Sequence, residues 1–137
     1  MRAIALDIGQ KRIGIATSDS TGTIASPLCV LPAADILQGS SRWRRILEDY
    51  EPDVLVCGKP KTMHGEVGPQ AQRVMQLAHK IAASCALPLE YVDERLSSAE
   101  AKRILHAEGL NEKEMRGKVD MVAASLFLQT WLDSQHR

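Results

Sequence analysis

Short extended apolar runs fill the first part of the chain, and stripes at helical spacing follow. Ala3–Gly9 and Arg12–Ser18 are short runs of apolar, small and β-branched residues separated by Gln10-Lys11, the pattern of a two-residue hairpin. That pairing predicts Asp7 across from Gly14, with the space above Asp7 left open because Gly14 has no side chain. Thr23–Leu31 is a third extended run, and Pro27 inside it points to an edge strand. Ser40 and Ser41 then cap a predicted helix to Tyr50 whose stripe is Trp43, Ile46, Leu47 and Tyr50. "DVLVCG", Asp53–Gly58, is continuously apolar, as expected of a strand buried on both faces. After a loop, "KPKTMHGEVGP", a helix opens near Pro69 and runs through Val74, Leu77, Ala78 and Ile81. "LPLEYVDE" gives one more strand. Ser97 to Glu100 has the form of a capping box, opening a helix to about Glu108 with Gly109 as its stop. "LNEKEMRG" is polar and ambiguous, and the last helix spans about Lys118 to Asp133. Three early strands followed by alternating helix and strand predict an α/β fold, one mixed sheet flanked by helices, with residues 1–137 as a single domain.

The bulk composition narrows the classes. The 137 residues are 45% hydrophobic and 25% charged, ordinary for a globular domain and too apolar for disorder. Seventeen Lys and Arg face seventeen Asp and Glu, so any anion-binding role has to come from local charge. No signal peptide is read at the start, and no apolar run approaches the roughly 20 residues that span a bilayer. Cys29, Cys57 and Cys85 lie far apart in apolar contexts, which reads as reduced thiols of a cytoplasmic protein and not as a zinc site or disulfide framework.

Three carboxylates stand at the ends of apolar elements. Asp7 ends the first strand, Glu94 follows "PLEYVD", and Asp120 opens the last helix. The face of Asp120 continues at helical spacing through Ala123, Ala124, Phe127, Leu128 and Trp131, so the acid heads the stripe that must meet the sheet. Spacing alone leaves a second reading open, an acid favoured in the first turn by the helix dipole. Asp7 could equally bond its own turn, and Asp93–Arg95 could be an internal ion pair. Taken jointly, acids from three elements can converge on an oxygen-rich site suited to Mg²⁺ or Mn²⁺. Two such ions clamp the attacking and leaving oxygens of a phosphodiester hydrolysis.

"ALDIGQKRIGIATSD…GTIASPL", "VLVCGKPKTMHGEVGPQAQRV", "YVDERLSSAEA" and "KVDMVAASLFLQTWLD" together resemble the YqgF/RuvX family of pre-16S ribosomal RNA nucleases, relatives of Holliday-junction resolvases. The resemblance runs in order along nearly the whole chain. It implies a ribonuclease H-like fold with a five-stranded sheet, and it puts the family's metal-binding, catalytic acids on Asp7, Glu94 and Asp120. It further implies a two-metal site for Mg²⁺ or Mn²⁺, substrate contacts at Lys11, Arg12, Lys59, Lys61, His64 and Arg95, and backbone clearance at Gly9 and Gly14. His64 fits a substrate contact or a solvated loop residue better than a general base. The implied partner is nucleic acid, precursor ribosomal RNA first and branched DNA second, for a cytoplasmic monomer or homodimer with no membrane association.

Two rival classes remain open on the sequence. A non-catalytic nucleic-acid-binding module would keep the same fold, and metal-dependent turnover separates it from a nuclease. A "DIG…G" hairpin also opens the sugar-kinase and actin-like ATPases, where it cradles nucleotide phosphates; those proteins use a second, similar half, for which 137 residues leave no room. "RWRR", Arg42–Arg45, offers cations around an aromatic for nucleic acid, or a solvated helix face with Trp43 in the core.

Overall fold

In the computed structural model, which describes residues 1–59, 68–94 and 97–136, the elements run β1 (Ala3–Ile8), β2 (Arg12–Ser18), β3 (Ala25–Pro32), α1 (Ala33–Leu37), α2 (Ser41–Tyr50), β4 (Val54–Lys59), α3 (Pro69–Cys85), β5 (Leu89–Asp93), α4 (Ser97–Ala107), α5 (Glu112–Arg116) and α6 (Val119–Gln135). The five strands form one sheet in the order β3-β2-β1-β4-β5. The first three pair antiparallel as a meander, while β4 and β5 join parallel to β1. The central strand is therefore β1.

Pleating gives β1 two different faces. Ile4, Leu6 and Ile8 join Ile13 and Ile15 of β2 in a core closed by Trp43 of α2 and by Val74, Ala78 and Ile81 of α3. Ala3 and Ala5 point the other way, where Ala16, Val54 and Val56 meet Ala124, Phe127, Leu128 and Trp131 of α6. Small side chains on this face let α6 lie close to the sheet, and α4 packs on the outside of α6. The continuous apolar run of β4 divides between both faces, Leu55 and Cys57 to one core and Val54 and Val56 to the other.

Several local features depart from the sequence pattern. The third strand starts at Ala25 and not at Thr23, because the Asp19 carboxylate captures the preceding backbone: its Oδ1 accepts from the N–H groups of Thr23 and Ile24 at 2.8 and 3.1 Å. Pro27 does sit on an edge strand, beside a register shift at Ile15/Ala16. Trp43 is buried under α2, so the Arg42–Arg45 stretch is a solvated helix face over a core tryptophan. Helix α4 begins at Ser97 itself, and Glu100 pairs with Arg103. A capping box is formed at α5, in the stretch that looked ambiguous: Asn111 Oδ1 accepts from Glu114 N, and Glu114 Oε1 accepts from Asn111 N. The loop expected after β4 falls at residues 60–67, outside the described residues. Among the described residues, no helix is long and apolar enough to cross a membrane.

Candidate active site

Asp7 continues the series Ala3, Ala5 on the α6 face, near the end of the central strand. It lies opposite Gly14 in β2, as the two-residue hairpin requires. On the other side Leu6 pairs with Cys57, so one step further in the same parallel register brings Asp7 level with Gly58. The acid is thus flanked across the sheet by two residues without side chains.

Each glycine makes room for a different group. A Cβ on Gly14 would stand 2.2 Å from the backbone carbonyl of Asp120 and 2.6 Å from Met121 N. The space above Asp7 is therefore not open, as Gly14 alone suggested; the first turn of α6 fills it and brings Asp120 to the acid. A Cβ on Gly58 would stand 2.7 Å from the Phe127 ring and 3.0 Å from Glu94 Cβ. The sequence singled out Gly14 but not Gly58 as a positioning residue. Its only signal was a glycine closing an apolar strand, and its meaning depends on parallel pairing with a strand far away in the chain. Gly9 has a local reason. Its N–H donates to the Arg12 carbonyl at 2.9 Å, and a Cβ there would lie 2.8 Å from the same oxygen.

The electrostatics follow from this packing. Asp7 is only 9% exposed. Burial first, then the charges of Glu94 and Asp120 and a hydrogen bond shared with Glu94, push its pKa from 3.8 to about 8. Glu94 is also raised, chiefly by burial, and the bond from Asp7 partly offsets this. Asp120 is raised by burial and held back by Arg12, whose Nε lies 3.8 Å from its Oδ2. Burial, with Glu94 and Asp7 nearby, pushes the Cys57 thiol up as well, which excludes it as a ready nucleophile.

Of the basic residues expected here, Lys11 and Arg12 lie beside this group. Lys11 is exposed at the hairpin tip, and Arg12 follows it beside Asp120. A hollow of about 560 Å³ is lined by Gly9, Gln10, Lys11, Arg12 and Asp120. Lys59, expected at the site, ends β4 on the opposite face: it continues the series Leu55, Cys57, and its Nζ lies 5.9 Å from the centre of the Tyr91 ring, which packs on the α3-side core. Lys61, His64 and Arg95 lie outside the described residues.

Among the described residues, no group of three or more His, Cys, Asp or Glu side chains is placed to hold a metal ion. The donor chemistry nevertheless fits a hard divalent cation. The three side chains are all carboxylates, Asp7 is buried with like charges around it, and a cation there would relieve all three. Mg²⁺ usually keeps several waters and takes only one or two carboxylates, so it does not require a closed cage.

This architecture is that of the Holliday junction resolvases, a ribonuclease H-like fold. The Thermus thermophilus RuvC structure in complex with Holliday junction substrate superposes with a TM-score of 0.59 at 12% identity, covering 99% of this chain and 96% of that one. The fowlpox virus resolvase with Holliday junction DNA gives 0.55 at 16% identity and full coverage of both. At sequence level, the family model "RuvX: Holliday junction resolvase" matches residues 1–134. A protein of Acaryochloris marina named "Putative pre-16S rRNA nuclease" is 42% identical over 97% of this chain and 92% of its own length. One of Roseiflexus sp. with the same name is 40% identical, over 98% and 95%. The chain belongs to the RuvX family.

Proposed function

We propose that this protein is a metal-dependent nuclease that hydrolyses phosphodiester bonds in the 5′-end maturation of precursor 16S ribosomal RNA, acting in the cytoplasm. The observation that carries the reading is that buried Asp7 shares a hydrogen bond with Glu94 and feels the charge of Asp120, which Arg12 flanks. Ordinary structural acids are placed next to cations, not next to each other. Asp7, Glu94 and Asp120 would hold Mg²⁺ or Mn²⁺, as a pair of ions in the full reaction. Bound there, the metal supplies water activation and neutralises charge on the transferring phosphoryl group.

The remaining chemistry belongs to the chain. Lys11 and Arg12, at the hairpin tip and beside Asp120, would contact a phosphate next to the scissile bond. Arg12 also holds Asp120 in place, so it acts both on the substrate and on the acid. By family resemblance, Lys61, His64 and Arg95 would also contact the substrate. A Holliday-junction endonuclease is the second reading, favoured by the description of the family model.

Labelled precursor RNA and junction DNA, each with Mg²⁺, Mn²⁺ or chelator, separate the two substrates. Asp7→Asn, Glu94→Gln and Asp120→Asn should each lower hydrolysis by at least about 10²–10³-fold, the range for losing one group that stabilises transition-state charge. Nucleic-acid binding should survive. Double replacements should cost little more than single ones, because the acids act as one unit. Full activity in Asp120→Asn would remove α6 from the site.

A further inference from the structure

We propose that a groove between α4, α5 and the β1–β2 hairpin carries a single strand of nucleic acid to the acids, with Lys102 and Arg116 holding its phosphates. The inference rests on the nuclease reading and adds the path of the substrate. The groove, about 300 Å³, is bordered by Arg12, Ser98, Lys102, Arg116 and Asp120, over an apolar floor that includes Met115. Arg12 and Asp120 also line the hollow at the hairpin tip. The two depressions therefore form one path, and it passes the candidate active site.

Lys102 and Arg116 suit phosphate because, among the described residues, nothing else holds them. Both are exposed, and neither has a carboxylate partner among the described residues. Neighbouring Arg103, by contrast, pairs with Glu100. The lining also includes Glu112, an acid that weakens the local field and gives the assignment a second handle. A polar rim above an apolar floor suits one chain, with phosphates on the cations and base or sugar against Met115. At about 300 Å³ the volume is at the small end of ligand sites, which suits one strand better than a duplex.

A competing basic surface exists on α2, where Arg42, Arg44, Arg45 and Glu48 line a hollow of about 390 Å³. It carries more positive charge. Yet Trp43 packs α2 against the sheet face opposite α6, so a strand bound there would not be presented to Asp7. Arg42 is also engaged by Asp35 at 4.0 Å.

The test is binding of a short fluorescent single-stranded RNA to the full chain in chelator, across a salt series. The Lys102→Ala/Arg116→Ala double variant should flatten the dependence of log K on log salt by about 1.4, two contacts at about 0.7 each. Glu112→Gln should tighten binding, and Arg44→Ala/Arg45→Ala should leave the slope unchanged. A groove variant that melts like the native protein but keeps the native slope overturns the proposal. So does a loss that follows the α2 variant, or a stronger effect on the duplex of the same sequence than on the single strand. If the native protein binds and cleaves while the groove variant keeps its slope, only the path is wrong. If the native protein binds no nucleic acid with or without Mg²⁺, the nuclease reading fails along with it.

Discussion

The two faces of the central strand are built from the same backbone and serve opposite purposes. Toward α3, β1 offers Ile4, Leu6 and Ile8, and the gap to the helices is filled with large side chains. Toward α6 it offers Ala3, Ala5 and Asp7, with glycines level with the acid in the strands on both sides. The first face is an interior that could be repacked at constant volume. The second has almost no freedom, because backbone and carboxylates occupy the space that side chains would take. Both faces carry a hydrophobic core, but the candidate chemistry lies on the α6 face alone.

Substitutions on the two faces should therefore fail in different ways. Leu6→Ala removes a fully buried side chain from the α3 face and should cost about 2–5 kcal/mol of stability. Below its melting temperature that variant should keep its hydrolysis per folded molecule. Gly14→Ala adds one methyl to the α6 face, where it meets the backbone of Asp120. It should cost less stability, roughly 1–3 kcal/mol for overpacking, but lose hydrolysis out of proportion because Asp120 must move. Melting curves and single-turnover cleavage on the same preparations read both. Equal activity loss per folded molecule in the two variants would erase the distinction between the faces.

A smaller effect concerns pH. The pKa of Asp7 is raised from 3.8 in the unfolded chain to about 8 in the fold, so between those values the metal-free native state binds more protons. Its stability is then fully present below about pH 4 and declines as pH rises toward about 8. Glu94 and Asp120 are raised as well and act in the same direction. Urea unfolding in chelator across that window should show the decline, and Asp7→Asn should show a shallower one. A metal-free native protein that gains stability over the same range would mean that the acids are paired with cations and do not face each other.

Much of this arrangement could be read along the chain, and the reasons are local. The hairpin register follows from a two-residue loop, Pro27 marks an edge, and the spacing of Asp120, Ala124, Phe127 and Trp131 defines the buried stripe of α6. The features that escaped depend on short elements or distant pairings. Helix α1 has five residues and begins directly after Pro32, too short for a period to register. Helix α5 is equally short, although Asn111 and Glu114 do carry a capping-box pattern. The start of β3 was displaced by the hydrogen bonds of Asp19. The role of Gly58 appears only when β4 is set beside β1, and the Arg12–Asp120 pair only when α6 is set across the hairpin. The candidate acids were proposed from the sequence; the glycines on either side of Asp7 required the sheet.

The most direct test of the central claim, that Asp7, Glu94 and Asp120 converge on one cation site, is the melting of native protein and Asp7→Asn with and without Mn²⁺. The native protein should gain stability from the ion by mass action, about 2.7 kcal/mol when free Mn²⁺ is a hundredfold above its dissociation constant. In chelator, Asp7→Asn should melt at or above the native protein, since it removes one of several crowded acids, and it should lose most of the Mn²⁺ gain. An Asp7→Asn variant that melts lower in chelator yet keeps the full Mn²⁺ shift would contradict the account and make Asp7 a structural turn residue.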